Sequence, residues 1–327
     1  MRRALLRLLA ALPLAALSPT IAHAQAEWVP ERPVRIIVPF PPGGATDLIA
    51  RVFAEAASRD LPQKWVVENR SGANGNIGMA AAAQSAPDGY TLGACTVGNC
   101  AINASIYARM PYDIERDLVP VFWSGSVMNV LVVRPDHPAR DARQFFEWAR
   151  RQGPAVNFSS SGFGSSNHLL PELMNLRLGL QMTHVPFRGG APGMQAVMSG
   201  ATHMMFENVP TLLAAIQGGQ LRALVVSGSE RDPSLPDIPT LREEGVDAVA
   251  EPWFGYMAPR GTPPQVVATL NALFDRANRD PAVQARLRQL GARPEGGSPE
   301  RFAQHVRAEI AMWRNVVEAN RIERITD

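Results

Sequence analysis

The sequence predicts an α/β protein of two lobes, each a doubly wound sheet flanked by helices. Short β-branched runs alternate with helices between positions 34 and 107, which is typical of a parallel sheet covered on both faces. A second alternation of the same kind occupies positions 155–227. After a predicted leader, about 300 residues remain, and this length fits two domains of ordinary size.

The N-terminal segment predicts a secretory signal peptide over residues 1–24. Arg2 and Arg3 form a basic start, an apolar stretch rich in Ala and Leu follows, and Ala22-His23-Ala24 is a small-x-small cleavage site. The apolar stretch is too short to span a membrane. We therefore expect export to the periplasm, and the net charge of the mature chain is about −1.

The composition gives no support for a nucleic-acid partner, a metal or a cofactor. Lys64 is the only lysine, and no basic run carries interleaved aromatic residues. No two histidines have the i, i+4 spacing of a zinc helix, and Cys95 and Cys100 lack C-x-x-C spacing. An oxidising compartment permits a disulfide between these cysteines. Their spacing crosses a strand–helix junction, so the sequence alone does not decide whether the disulfide forms.

The first strand, Val34–Val38, leads into a Pro-Pro-Gly-Gly turn and a helix over Leu48–Ala57. Two glycines leave backbone N–H groups uncovered, and Thr46 or Asp47 can cap the helix. Free N–H groups at a helix start attract anions. The turn lacks Lys and Arg and matches neither a P-loop nor G-x-G-x-x-G, which favours a carboxylate; a plain β–α turn is the alternative. The candidate ligand contacts are Pro42, Gly43, Gly44, Thr46 and Asp47.

The following elements complete a βαβαβα series. Strands are predicted over 65–69 and 90–95, and helices over 77–86 and from 97 towards 107. The carboxyl ends of such strands share one edge of the sheet, where ligands bind. We therefore expect Asn76, in a glycine-asparagine loop, and Thr96 to lie beside the first turn.

The second series is built like the first. One long strand over Val127–Val133 and an amphipathic helix over Gln144–Arg151 precede it. Its strands are predicted over 155–159, 181–187, 202–206 and 221–227, with helices over 169–178, 191–199 and 212–217. A strand from Trp253 and helices over 265–279, 281–290 and 299–317 then return to the first lobe. Lobe one is thus predicted over 25–128 and 253–327, and lobe two over 129–252.

The loop Ser160–His168 resembles the first turn, since it contains glycine, follows a predicted strand and precedes a predicted helix. It is rich in hydroxyls and glycine, and Ser165 or Ser166 can cap the helix that follows. Each lobe therefore carries a candidate anion cradle, and two facing lobes form a cleft of the kind that small molecules occupy. The candidate contacts in lobe two are Ser161, Gly164, Ser165, Ser166, His168, Phe187 and Glu207.

An exported α/β hydrolase is the alternative from another functional class. It would need a G-x-S-x-G elbow, which the chain lacks. His168 near Ser165 is better interpreted as a polar residue that lines the cleft or holds the loop. Asp47 and Glu207 both follow strands, where ligand orientation or helix capping is an ordinary role. We therefore predict no catalytic residue.

Eight motifs carry a family resemblance across nearly all of the mature chain. They closely resemble those of the Bug-type (TctC-like) periplasmic solute receptors of tripartite tricarboxylate transporters. In order they are Pro39-Phe40-Pro41-Pro42-Gly43-Gly44-x-Thr46-Asp47, Val67-Glu68-Asn69-Arg70, Gly75-Asn76-Ile77-Gly78, Pro87-Asp88-Gly89-Tyr90-Thr91-Leu92, Pro111-Tyr112-Asp113, His184-Val185-Pro186-Phe187-Arg188-Gly189, Leu221-Arg222-Ala223-Leu224 and Leu235-Pro236-Asp237-Ile238-Pro239-Thr240.

The resemblance implies a two-lobed Venus flytrap of the type II binding-protein class. Such receptors hold a ligand carboxylate with backbone amides, hydroxyls and bound water, and the matching positions are the two candidate cradles. The implied protein is a monomer that delivers a di- or tricarboxylate, amino acid or aromatic acid to a two-component membrane permease; a ligand sensor for a signalling protein is the alternative. Asn74 stands where the family commonly has Gly, and Glu207 where Asp is common.

Overall fold

The chain forms two α/β lobes, each built on its own sheet, as the sequence predicts. The computed structural model describes residues 28–59, 61–319, 322 and 324–326. The predicted signal peptide lies outside these ranges. Within them, no helix has the length and apolar character needed to cross a membrane.

The strands belong to a six-stranded and a five-stranded sheet. In chain order through the described residues they are Arg35–Val38 (β1), Val66–Asn69 (β2), Thr91–Thr96 (β3), Leu118–Val127 (β4), Asn129–Val133 (β5), Asn157–Ser160 (β6), Thr183–Pro186 (β7), Met204–Asn208 (β8), Arg222–Val226 (β9), Trp253–Pro259 (β10) and Ala292–Pro294 (β11).

The α-helices follow the strands in the expected alternation. They are Ala45–Ala57 (α1), Asn76–Ala83 (α2), Asn103–Ile106 (α3), Ile114–Asp117 (α4), Ala142–Gln152 (α5), Ser166–Leu178 (α6), Gly190–Ser199 (α7), Val209–Gln217 (α8), Pro264–Arg279 (α9), Pro281–Gln289 (α10) and Pro299–Ala319 (α11). A π-helical turn, Gly98–Ile102, replaces the first half of the helix predicted from position 97.

The sheet of lobe one has the strand order β11-β4-β10-β3-β1-β2. Strand β1 is parallel to β2 and β3, whereas β10 runs antiparallel between β3 and β4. Phe53 of α1, Phe122 of β4 and Phe274 of α9 form an aromatic core on one face. Met79 and Phe302 belong to the core on the other face, so helices cover both sides of the sheet.

The sheet of lobe two has the order β7-β6-β8-β5-β9. Strand β6 is parallel to β7 and β8, and β5 is antiparallel to β8 and β9. Phe145 of α5 and Phe206 of β8 pack on one face, while Met205 of β8 and Leu212 of α8 pack on the other. The alternation of Met205 and Phe206 between faces follows the period of two in a strand.

The prediction of one strand over Val127–Val133 is wrong. The chain forms β4 and β5 instead, separated by Met128, and these strands belong to different sheets. The apolar run hides the break because both strands are buried on both sides. Pro120 within β4 obscured the first of them, since a proline weakens a strand signal.

The C-terminal helices α9 and α11 pack against β4 in the sheet of lobe one. Helix α11 contacts β4 and the π-helical turn, and Phe302, Val306 and Ile310 on its inner face are buried. Neither α4 nor β11 was predicted from the sequence. Strand β11 is three residues long and pairs antiparallel with β4 at the sheet edge.

Candidate functional site

A cavity of about 40 Å³ lies between the lobes and is called the inner chamber here. Seven of the predicted contacts line it, and they come from both lobes: Gly44, Thr46, Thr96, Ser161, Ser165, Ser166 and Glu207. The other walls are Phe40, Ala45, Asn74, Val97, Gly98, Asn167, Gly190, Asn208, Thr211, Pro252 and Phe254. In the described part of the chain, no Lys, Arg or His lines this chamber.

Two helices begin at the inner chamber, one from each lobe. Helix α1 begins at Ala45 with Gly44 as its N-cap, so the prediction that Thr46 or Asp47 is the cap is wrong. Helix α6 is capped by Ser165, as predicted: its Oγ accepts the His168 N–H at 3.2 Å. The N–H groups in a first helical turn have no partner within their helix, so both helices present donors to the chamber.

Asp47 lies outside the inner chamber, and its hydrogen-bond partners all belong to lobe one. Its carboxylate accepts hydrogen bonds from Arg51 at 2.9 and 3.0 Å, from Asn69 at 2.9 Å and from the Gly43 N–H at 3.0 Å. Burial acts to raise the pKa of Asp47, but these hydrogen bonds outweigh it and lower the pKa. Asp47 therefore fixes the turn before α1, while Pro42 and Gly43 face solvent.

Asn76 lies behind the chamber wall rather than in it. Its Oδ1 accepts hydrogen bonds from Asn103 at 2.6 Å and from the Tyr112 hydroxyl at 3.1 Å. Asn74 is the wall residue instead, and its Nδ2 donates to Asn103 Oδ1 at 2.9 Å. Asn74 has φ of 47°, the left-handed region where glycine and asparagine are the tolerant residues.

The turn after β3 supplies Thr96, Val97 and Gly98 to the chamber. The Thr96 N–H donates to Asn99 Oδ1 at 2.8 Å, which closes the turn locally. A disulfide joins Cys95 to Cys100 and brackets the same turn. The structure therefore contains the disulfide that the sequence alone did not decide.

Glu207 is the one acidic side chain that lines the inner chamber in the described ranges. It lies within β8, near the end of the strand, and not after a strand that ends at position 206 as predicted; its side chain is fully buried. Oε1 accepts the Asn208 N–H at 2.8 Å, whereas Oε2 has no hydrogen-bond partner among the described residues. Burial raises the pKa of Glu207 to about 7, and the Asn208 N–H and the nearby Asn167 side chain oppose this rise only in part.

The loop before α6 is held by its own hydroxyls. Ser161 and Ser166 donate to Asn167 Oδ1 at 3.1 and 3.3 Å, and Ser165 donates to the Gly162 carbonyl at 2.7 Å. Asn167 was missed by sequence analysis. Its place directly before His168, in the first turn of a helix that ends a hydroxyl-rich loop, was the available signal.

Gly164 and His168 lie outside the inner chamber. The Gly164 N–H donates to His168 Nδ1 at 3.2 Å, and the His168 ring stacks on His184 at 3.9 Å. Burial lowers the pKa of His168 to about 4, so the ring is neutral at neutral pH. His168 instead lines an apolar groove of about 810 Å³ between α6 and α11.

The closest serine–histidine contact is Ser160 Oγ to His184 Nε2, at 2.6 Å. Ser160 is fully buried and also accepts the Gly162 N–H at 3.1 Å. His184 Nδ1 has no partner among the described residues, and neither residue lines the inner chamber. This pair holds the loop before α6 and lacks the oriented base and open nucleophile of a triad.

A second cavity of about 190 Å³, the outer chamber, adjoins the inner one. The two share Phe40, Asn74 and Ser161 as walls. Phe187, predicted as a contact, lines the outer chamber together with Arg188. Arg188 belongs to the motif His184–Gly189 but was not among the predicted contacts.

The lobes are in contact around the site. The Ala45 N–H of lobe one donates to Thr211 Oγ1 of lobe two at 3.0 Å. On the outer side, the Tyr107 hydroxyl reaches the Phe163 carbonyl at 3.5 Å. The structure is therefore a closed arrangement. Within the described residues, no cluster of three His, Cys, Asp or Glu side chains could hold a metal ion.

Comparison with known proteins shows the family. Residues 49–322 match the model described as "Tripartite tricarboxylate transporter family receptor". BugT of Bordetella pertussis is 38% identical, with 90% of this chain and 91% of BugT aligned.

Two solved structures are similar over almost their whole length. The R. palustris protein Rpa4515 with adipate is 35% identical at a TM-score of 0.88, covering 90% of this chain and 99% of that one. MatC from Rhodopseudomonas palustris with bound malate is also 35% identical, at a TM-score of 0.83, covering 88% and 99%. The chain therefore belongs to the tripartite tricarboxylate transporter receptor family, the Bug-type (TctC-like) solute-binding proteins.

Proposed function

We propose that this protein is a periplasmic receptor that captures a small carboxylate between its lobes. The observation that carries the proposal is the convergence of two helix starts, α1 and α6, on one closed chamber. Thr46, Ser161 and Ser166 supply hydroxyls beside these helix starts. N–H groups and hydroxyls without a basic side chain suit a single carboxylate better than a phosphate cluster.

The size of the two chambers suggests how the ligand is divided between them. The inner chamber, about 40 Å³, has room for the carboxylate end of a ligand or a few waters, since a cavity needs about 10–15 Å³ to hold one water. The remainder of the ligand then extends into the outer chamber. Arg188 is exposed there and has no ion-pair partner in the described part of the chain, so a second anionic group would meet it.

Similar receptors support this assignment. The structure of Rpa4515 was solved with adipate and that of MatC with bound malate. The family implies delivery to a two-component membrane permease, and we extend this role to the present chain. A sensor function would use the same closure with a signalling protein in place of the permease, and co-purification with a sensor would favour it.

Binding can be tested by calorimetry and thermal shift with a panel of di- and tricarboxylates, amino acids and aromatic acids. We expect at least one member to bind at a 1:1 ratio and to be retained without turnover. Gly98→Val should abolish that binding, because Gly98 lines the inner chamber and the added methyl groups enter it.

Ala155→Val is the matched control, since Ala155 is exposed in lobe two and lines neither chamber. Wild-type protein that is folded and binds no member of the panel would contradict the proposal. Turnover of a panel member would favour the hydrolase instead. Unchanged affinity in Gly98→Val would place the carboxylate elsewhere.

A further inference from the structure

Three side-chain oxygens that line the inner chamber have no hydrogen-bond partner among the described residues. They are Glu207 Oε2, Asn208 Oδ1 and Asn74 Oδ1. The orientation of the Asn74 amide is fixed, because its Nδ2 is used by Asn103. A buried acceptor without a donor is unfavourable, and most such atoms in folded proteins are satisfied by a partner. Asn167 Nδ2 is an unpartnered donor of the same chamber, so among the described side chains three unpartnered acceptors stand against one unpartnered donor, and a bound group can supply the missing donors.

The chamber also contains an acidic group without a basic side chain to balance it. Glu207 is fully buried, and no Lys, Arg or His in the described ranges lines the chamber to balance it. The carboxyl lies over the start of α7, where a Cβ on Gly190 would stand 2.6 Å from Oε2. A plain carboxylate bound at the nearby helix starts would require Glu207 to hold a proton, whereas a cationic group would pair with the ionised carboxylate.

We infer that Glu207 makes the receptor select ligands that carry a primary ammonium group close to their bound carboxylate. The ammonium supplies N–H donors for unpartnered oxygens of the chamber and a positive charge for Glu207. The ligand carboxylate occupies the helix starts of α1 and α6. This inference rests on the proposed function and names the substrate class, zwitterionic amino acids, within it.

The test uses ligands matched in length, with and without the amino group. The pairs are propionate and alanine, succinate and aspartate, and adipate and 2-aminoadipate, with lactate and malate as hydroxyl-bearing members. Dissociation constants are measured by calorimetry on the full mature protein. We expect the amino member of a pair to bind about tenfold or more tightly than its plain partner, since hydrogen bonds to charged groups are the stronger ones.

Glu207→Gln keeps the shape of the side chain and removes its charge. This variant should lose affinity for the amino member by about tenfold to a hundredfold, while the plain member binds equally well or better. Glu172→Gln is the matched control, because Glu172 is a partly buried glutamate on α6 that lines the apolar groove and neither chamber. Circular dichroism establishes that each variant is folded.

The outcomes separate this inference from the proposed function. Plain or hydroxyl-bearing members that bind as tightly as the amino members would overturn the selection and leave carboxylate binding intact. An amino preference that survives in Glu207→Gln would remove Glu207 as its cause. If no carboxylate of any kind binds, both the inference and the proposed function fall.

Discussion

Two buried carboxyls near the cleft behave in opposite ways because of their partners. Asp47 accepts four hydrogen bonds, two of them from Arg51, and its pKa is lowered despite burial. Glu207 accepts one from a backbone N–H, and burial raises its pKa to about 7. Asp47 thus stabilises the fold, whereas Glu207 is left with an oxygen free for a ligand.

The raised pKa of Glu207 predicts a pH dependence of stability for the ligand-free protein. Folding raises this pKa from 4.5 to about 7, so the folded state holds a proton that the unfolded state releases. The contribution of the protonated Glu207 carboxyl to stability is therefore complete below pH 4.5 and is lost as the pH rises towards 7. Relative to wild type, Glu207→Gln should gain about 2 kcal/mol in free energy of unfolding between pH 5 and pH 8.

Urea unfolding at pH 5, 6, 7 and 8 measures this difference. Glu172→Gln serves as the control for a partly buried glutamate elsewhere, and it should show a smaller dependence. A difference between wild type and Glu207→Gln that stays flat across this range would show that Glu207 is ionised in the folded protein at pH 5.

At the scale of single residues, the sequence indicated which loops surround the chamber better than which hydrogen bonds their side chains make. Thr46, Ser165 and Ser166 were predicted because helix starts and hydroxyl-rich loops are visible locally. Asp47 and Asn76 are in the right loops, but Arg51 and Asn103 take their side chains out of the chamber. Such pairing depends on side-chain direction in the folded chain, and no spacing in the sequence encodes it.

At the scale of elements, the turn after β3 is the most constrained wall of the site. The bond between Cys95 and Cys100 encloses Thr96, Val97 and Gly98, all of which line the inner chamber. Both cysteines are buried. A short cross-linked turn has fewer unfolded conformations, so the bond is expected to stabilise the fold and to keep the wall in place.

The double variant Cys95→Ala with Cys100→Ala should lose about 2 kcal/mol in free energy of unfolding, from the loop-entropy relation for a short loop. Denaturant unfolding with and without a reducing agent measures this. Reduced wild type is the matched control and should approach the variant. Equal stability of oxidised wild type and the variant would show that the bond contributes nothing.

Element boundaries were predictable where turn chemistry was local and failed where strands met end to end. The run over positions 127–133 contains no glycine or proline. Asn129 is its one polar residue and does not by itself mark the crossing at Met128 between β4 and β5. Helix α1 begins three residues before its predicted start, because Gly44 and not a polar side chain is the cap. Both errors reflect contacts made across the fold.

At the scale of the whole molecule, one hydrogen bond joins the two lobes directly at the chamber. It runs from the Ala45 N–H to Thr211 Oγ1, across 166 positions of sequence. The two-lobed architecture was predictable from the repeated alternation of strands and helices. The closed arrangement was not, because it depends on contacts between residues this far apart.

Thr211→Val removes the acceptor while keeping the shape of the side chain. We expect the affinity for a bound carboxylate to fall about three- to tenfold, mainly through faster release, since a net hydrogen bond contributes about 0.5–1.5 kcal/mol. Stopped-flow fluorescence measures release. Thr183→Val, at an exposed position of strand β7, is the control. Unchanged release in Thr211→Val would mean that this bond does not hold the closed form.

The position of β10 has a consequence for the order in which the chain folds. This strand pairs with both β3 and β4 in the middle of its sheet, yet it lies after every strand of the other sheet in sequence. A chain that emerges from its N-terminus can complete the second sheet once residue 226 is available, whereas the first sheet has a gap at its centre until residue 259 has followed. The half-built sheet then presents two unpaired inner edges, and such edges invite association with other chains. The time between the emergence of β4 and β10 is therefore the period in which newly made chains are most exposed to aggregation.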